Sequence, residues 1–565
     1  MLAWVPADTT VADLAHAGFA PGVMSPGLGT VPAEQTYLDI GQGNRVFDSL
    51  YDAPLPEHRG NAIRWWREVV ERAESAPADI VPGLLGSALS SAGPGDRLEE
   101  RRAALRNIPR PGNGLVIAIA RPTGESDDPL PIGIKGRGFD GNLTSDSTRM
   151  DGYVLSTDVA PTILSHDGID VPSQMSGQAI RAEGTVDPAE IEALAARMEV
   201  ISSRRGSVIG LPIVVWLLLA AGAALLGGAP RVRGAVRVLA LSIVFLPLLL
   251  LLGAALEPAE VSEALLVGLG APALAALTLL LLPGYRALAM ASALTVLAYA
   301  VDVVAGSPLT SLSLLGPNPG LGVRFYGIGN ELEALLAVLV VAGTGTALTG
   351  FATGASRRFA VTAFLASGLL AAAVFAAGRF GADVGAAIVF PVGAAVAAVA
   401  ISGRGRRPAL LAAVAAPVAV LALLALVDLL SGANAHLTRS VLDAGGFEDL
   451  ADVAQRRLQL SVRSFGRPVL LVFLPVVLGL ALLAYLQRDR LKFWLREVPA
   501  LRAGLLGALA ATATGTLAND SGALLLEIGT AYLLVFIGFA WAEKAGDSAE
   551  NAASDEKLQL REPHV

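Results

Sequence analysis

VIGLPIVVWLLLAAGAALLGG, residues 208–228, runs for 21 residues without a charged side chain. A helix of that length rises about 30 Å, the thickness of bilayer hydrocarbon. The stretch divides the chain. Residues 1–205 before it read as an ordinary mixed soluble sequence. From Val208 to about Trp541, apolar runs of roughly 20 residues follow one another. The 565 residues are accordingly 53% hydrophobic and 16% charged, with a mean hydropathy of +0.57, far from a soluble average.

Eleven spans are expected, at 208–228, 235–256, 262–283, 287–305, 329–349, 358–377, 383–402, 408–431, 468–487, 499–517 and 521–541. The fold class is thus an α/β soluble domain (1–205) followed by an all-α polytopic membrane domain (206–543). A polar, charged tail (544–565) is expected to be disordered.

Loop charges orient the spans. Arg231, Arg233 and Arg237 follow the first span, Arg286 the third, and Arg357 and Arg358 the fifth. Arg404, Arg406 and Arg407 follow the seventh, and Arg488, Arg490, Lys492, Arg496 and Arg502 the ninth. All lie in odd-to-even loops, whereas the loop after the second span carries Glu257, Glu260 and Glu263. The basic side is expected to be cytoplasmic in a bacterial cell membrane. That puts residues 1–205 outside and the C-terminus inside. MLAWVPADTT has neither a basic start nor a long apolar core, so an upstream signal or helix is expected to be missing. The alternative is a cytoplasmic domain.

Composition excludes several classes. A net charge of −8 argues against nucleic-acid partners, and the absence of cysteine removes disulfides, thiol catalysis and cysteine-held zinc. Membrane lipids are the expected partners. Oligomeric state is not legible.

In the soluble part, MLAWV reads as a buried first strand and VADLAHAG (11–18) as a short helix. Ile63, Trp66, Val69 and Val70 recur at helical spacing and predict a helix over 59–75. LVIAIA (115–120) is a strand bounded by glycine and proline. VAPTILSHDGI reads as a helix and turn, with Asp158 as N-cap and Pro161 in the first turn. Alternating strands and helices predict a mostly parallel sheet.

GNLTSDSTRMDGYVLSTDVAPTILSHDGIDVPSQMSG (141–177) resembles the C-terminal part of the alkaline-phosphatase-like superfamily. The matching pieces are GYVLSTDVAPTIL, GIDVP and MSG. MLAWVPADTTVADL resembles its first strand and helix, and MSPGLGTVPAEQTYLDIGQGNR lies where its nucleophile loop and helix fall. Fusion to a polytopic half is similar to a group of bacterial, mainly actinobacterial, envelope membrane proteins. The resemblance implies a serine or threonine nucleophile and one or two divalent metals, zinc or manganese, held by aspartates and histidines. The catalytic candidates it leaves are Thr36, Asp146, Ser147 and Arg149. The ligands it calls for are missing: the first strand ends Val5-Pro6-Ala7 with Asp8 displaced, and only His16, His58 and His166 lie in the soluble part, His166 in the order His-Asp-Gly. No metal and no cofactor is therefore expected, and the domain reads as a degenerate, non-catalytic phosphatase-like fold. Asp8, Asp146 and His166 are not expected to converge.

The membrane half holds a second candidate. GPNPGLGVRFYGIGNELE (316–333) carries Arg324, Asn330, Glu331 and Glu333; GRFGAD carries Arg379 and Asp383; LANDSGALLLE carries Asn519, Asp520, Ser521 and Glu527. The expected topology puts all three on the outer side. Ionisable groups at that depth are costly and mark sites by default, and the adjoining glycines permit broken helices. The arginines suit phosphate or carboxylate, and the acids suit cations or protons. The loop 432–467 has the amphipathicity of a surface helix through Leu450, Val453, Leu458 and Val462. The expected function is handling of a lipid- or glycan-linked phosphate in the membrane half. The alternatives are a metal-dependent phosphatase or phosphotransferase and a secondary transporter.

Overall fold

The computed structural model describes the chain except residues 47–54, 60–61, 77, 93–97, 109–111, 113, 227–228, 432–458, 460, 467–469 and 560–565. The chain forms two compact units. One comprises Met1–Ser203 with Pro317–Tyr326, and the other Arg204–Gly316 with Gly327–Val565.

The first unit is built on a six-stranded sheet, ordered Tyr153–Leu155, Ala20–Ser25, Leu130–Lys135, Val116–Ala120, Leu2–Val5, Glu100–Arg102. Leu2–Val5 pairs in parallel with both neighbours, and Ala20–Ser25 in parallel with Tyr153–Leu155. Leu130–Lys135 is antiparallel to the strands on either side. The sheet is mixed where a mostly parallel one was expected. The nine residues 121–129 are too few for a crossover helix, so the chain reverses into its neighbour.

Both faces of the sheet are covered, as strand alternation requires. Ile117 and Ile119 pack one way with Trp4, Ile132, Ile40, Leu85 and Leu164. Val116, Ala118 and Ala120 pack the other way with Val5, Leu14 and Phe19. Each fully buried aliphatic side chain contributes about 1.5–3 kcal/mol. Thr10 caps the helix Val11–His16 through the Asp13 amide, with Asp13 reciprocating.

The expected helix over 59–75 begins late. Glu57–Arg59 and Ala62–Arg64 form an antiparallel hairpin, and only Trp66–Glu74 is helical. Trp65, at a φ of 63°, breaks the pattern between them.

The second unit is a bundle, and the protein is a multi-pass membrane protein. Eight helices are long and apolar enough to cross a bilayer among the described residues: Pro188–Ala223, Pro230–Leu256, Glu260–Leu281, Tyr285–Val304, Asn330–Phe351, Arg357–Ala376, Pro499–Ala518 and Gly522–Lys544. The other three expected spans fall on Ala386–Ile401, Arg406–Ser431 and Leu470–Leu486. The first of these has 16 residues, about 24 Å, because the segment before it is not helical. Parts of the other two lie outside the described side chains. The final helix continues to Gln559, and its side chains beyond Lys544 lie outside the described residues, as do Leu450, Val453 and Leu458. Val462 is exposed.

Asn330–Phe351 and Ala386–Ile401 pack antiparallel to Pro499–Ala518 across small residues. A Cβ on Gly507 would strike the Gly393 carbonyl, and one on Gly345 would meet Ala500 and Gly504. Such seams bring backbones close where lipid offers no hydrophobic driving force between helices.

Candidate functional site

The TSDSTR hydroxyls turn inward to hold the chain together. Ser145 and Ser147 donate to the two carboxylate oxygens of Asp158 at 2.7 and 2.6 Å. Thr148 donates to the Tyr153 carbonyl at 2.6 Å, and Thr144 to that of Met150 at 2.9 Å. Asp158 also accepts from the backbone amides of Leu155 and Gln178 at 3.0 and 2.9 Å. It makes no side-chain cap to the following helix Val159–His166, contrary to expectation. Its carboxylate reaches back and across instead, tying three segments at one buried point. Burial pushes its carboxyl group above the usual aspartate range, against the pull of the two serine hydroxyls and two amides. Asp146 pairs with Arg181 at 2.8 Å on the surface, and the Arg149 guanidinium lies 4.1 Å over the Tyr326 ring.

Thr36 lies elsewhere. The helix Ala33–Gln42 follows the strand Ala20–Ser25 and buries an unusual polar face: Gln35, Thr36, Asp39 and Gln42. Asp39 accepts from Gln35 at 2.6 Å and Gln42 at 3.2 Å through one oxygen. Burial drives its carboxyl well above the usual range, partly offset by these donors and by Arg45 and Arg72. Among the described residues, the Thr36 hydroxyl and the second Asp39 oxygen have no hydrogen-bond partner. Thr36 borders a cavity of about 50 Å³, with Pro26, Thr123, Ser126 and Asp128, at the carboxyl ends of the sheet strands. That is room for a few waters at the edge where open α/β sheets bind ligands. No described hydrogen bond or ion pair joins Thr36 to Asp146, Ser147 or Arg149.

The residues Pro317–Tyr326, delivered by the connection between two membrane helices, close over this edge. Gly29 donates to the Leu321 carbonyl at 2.8 Å, Arg45 to that of Gly322 at 2.5 Å, and the Tyr153 hydroxyl to that of Pro319 at 3.1 Å. Phe325 packs against Tyr153 and under Arg45. Burial pushes the Tyr153 phenol up to about 12.

Among the described residues, no three histidine, aspartate or glutamate side chains are grouped to hold a metal. His16 and His166 each end a short helix, Asp8 is exposed, and the His58 side chain lies outside the described residues. Among the described residues, the donor set called for by the phosphatase resemblance is not brought together.

In the membrane unit, three helix breaks meet. They are 327–329 before Asn330–Phe351, 377–385 before Ala386–Ile401, and 519–521 after Pro499–Ala518. The Ile328 amide donates to the Gly381 carbonyl at 3.2 Å. The Asn519 side-chain amide donates to Glu333 at 2.7 Å and to Asn330 at 3.2 Å, and Asn330 donates to Asp520 at 3.1 Å. Glu333 is fully buried, and a Cβ at Gly385 would lie 2.5 and 2.6 Å from its carboxylate oxygens. Gly385 is thus the residue that lets the 377–385 break approach the acid. Asp383 is buried and accepts from the Ala386 amide at 3.2 Å, satisfying the first free amide of the short helix.

The expected pocket residues therefore separate. Asn330, Glu333 and Asp520 come together, with Asp383 in the same break as Gly385. Glu331 pairs with Arg205 at 3.3 Å. Arg379 is exposed, 4.8 Å over Phe380. Glu527 is half-buried one turn into its helix. Arg324 belongs to the α/β unit. Asn519 and Gly385 carry more of the geometry than their place in the sequence suggested. The signal for each was adjacency to an acid at a helix break.

Compared with protein-family models, curated proteins and solved structures, the chain matches none.

Proposed function

We propose that this is an envelope membrane protein whose membrane half binds a proton or small cation at Glu333 and couples it to movement or processing of a membrane substrate. The observation that carries this is the fully buried Glu333, held by Asn519 at 2.7 Å where three helix breaks converge. A structural role would be met by a neutral amide. An acid at that depth costs several kcal/mol unless its charge is used, and broken helices are the common setting of cation sites in transporters. This favours the transporter reading over a phosphatase. Loop charge supports an extracytoplasmic α/β unit, which we read as a non-catalytic relative of the phosphatase fold whose Ser145 and Ser147 hydroxyls serve Asp158.

The test is infrared difference spectroscopy of the full chain in lipid nanodiscs across a pH series. A carboxyl band lost in Glu333→Gln and kept in Asp520→Asn supports the assignment. A Glu333→Gln spectrum that superposes on wild type overturns it.

A phosphate-bearing lipid or glycan is the substrate class we propose, on the exposed Arg379 in the same break as Gly385. Arg379→Gln should then weaken binding of a short-chain polyprenyl phosphate at least about tenfold, as expected for loss of a hydrogen bond to charge.

A further inference from the structure

The helices Leu211–Leu226, Ala229–Leu256 and Glu260–Leu281 enclose a groove of about 260 Å³. An apolar cavity of about 150 Å³ already holds a benzene ring, so this one has room for a length of hydrocarbon chain. Trp216 forms one wall and is fixed by its indole donating to the Gly268 carbonyl at 2.9 Å. Leu219 and Pro272 add to it. The floor is a stripe along Ala229–Leu256: Gly234, Val238 and Ser242, with their neighbours Ala235 and Leu239. Among the described residues, no atom beyond Gly234's chain neighbours and its own helix backbone stands within 4 Å of where a Gly234 Cβ would point.

The stripe does not end at Gly234. Arg231 lies three residues before Gly234 and four before Ala235, on the same helix face, and is exposed. Helical side chains lean toward the N-terminus, so Arg231 projects beyond the groove's end. The helix has 28 residues, about 42 Å, so its first turns pass the hydrocarbon and reach the headgroup layer. Arg237, further along, is engaged by Glu543 at 3.1 Å.

We infer that this groove is a binding site for one anionic phospholipid, its acyl chain against Gly234 and Trp216 and its phosphate on Arg231. Charge complementarity selects the occupant: an apolar trough with a guanidinium beyond its end, on the same helix face, suits an anionic lipid over a zwitterionic one. The assignment is independent of the role given to Glu333.

The experiment is native mass spectrometry of the full chain released from nanodiscs of equal phosphatidylglycerol and phosphatidylcholine. Wild type should retain phosphatidylglycerol preferentially. Arg231→Gln should reduce that preference about fivefold and leave total lipid unchanged. Gly234→Leu fills the trough and should remove bound lipid of both kinds, and Leu219→Trp, from the facing helix, should do the same. Thermal unfolding confirms that each variant is folded. Equal retention of the two lipids by wild type, an unchanged ratio in Arg231→Gln, or unchanged total lipid in both filling variants overturns the site. So does a protein dimer that forms as lipid is lost.

Discussion

The side-chain amide of Asn519 lies 2.7 Å from the carboxylate of Glu333, across 186 residues of chain. It joins the end of one membrane helix to the first turn of another running the opposite way. Hydrogen bonds inside membrane bundles average about 0.6 kcal/mol in double-mutant cycles, whereas bonds to a charged group give about 1.5–3 kcal/mol. Thermal unfolding of Asn519→Leu, Glu333→Gln and the double variant in detergent separates these cases. We expect a coupling near the upper range. A coupling below about 0.6 kcal/mol would show that the pair is ordinary glue.

Gly385→Ala addresses the same acid from the opposite side. The added methyl has no room beside the two carboxylate oxygens, so the 377–385 break must withdraw. A cost of about 1–3 kcal/mol is expected from overpacking. In Glu333→Ala the carboxylate is gone, and Gly385→Ala should then cost little. Equal costs in both backgrounds would place the strain elsewhere.

Asp158 should be the most sensitive polar position in the α/β unit. Ser145→Ala removes one bond and Ser147→Ala two, the second accepted from the Gln178 amide at 3.1 Å, and each variant should cost about 1–3 kcal/mol. Asp158→Ala removes four at once and should cost more than either. Their effects should not add, because all act through one carboxylate. Hydrogen exchange at strands Tyr153–Leu155 and Asn142–Thr144 in the full chain gives the measurement. Additive losses would mean the serines act independently of Asp158.

Burial raises the carboxyl groups of both Asp39 and Asp158 above the ordinary aspartate value of 3.8. In the window above that value the native unit holds protons that the unfolded chain has already lost. Stability therefore falls as pH rises through the raised values and levels off beyond them. Exchange in strand Val116–Ala120, corrected for the intrinsic rate, should show this unit stabilised at mildly acid pH. Asp39→Asn should flatten part of the slope and stabilise the unit at neutral pH. A variant that keeps the wild-type slope would show that Asp39 does not contribute.

Some of this architecture could be read from residue types and some could not. The long membrane spans were legible because uncharged runs of about 20 residues admit few other structures. The strands Leu2–Val5 and Val116–Ala120 were legible from their boundaries. Ile63, Trp66, Val69 and Val70 fitted a helical template, yet the first of them lies in a hairpin, because Trp65 takes a left-handed conformation that periodicity does not encode. The acids of the membrane site were visible as costly residues, but which of them meet depends on packing: Glu331 turned to Arg205 and its neighbour Glu333 to Asn519. TSDSTR looked catalytic because hydroxyls and a carboxylate serve a structural knot as well as a reaction. Least legible was the segment Pro317–Tyr326, which sequence order assigns to the membrane half and folding assigns to the α/β unit.

That segment yields the last prediction. Gly322 has a φ of 68°, and a Cβ there would collide with the Gly27 carbonyl and crowd the Ser25 hydroxyl. Alanine in that conformation costs about 1–2 kcal/mol before any collision. Gly322→Ala should therefore lift the segment from the carboxyl edge. Loss of the bond between Gly29 and the Leu321 carbonyl would then expose the Gly29 amide to exchange. Gly320→Ala is the matched control. Its Cβ would find ordinary contact at 3.4 Å from Asn318 and Met198, so Gly29 should stay protected. If Gly322→Ala leaves exchange at Gly29 unchanged, the segment is held by Phe325 and Tyr153 alone. If both variants release it equally, backbone freedom at this turn, and not the close approach of Gly322 to Gly27, is what seats it.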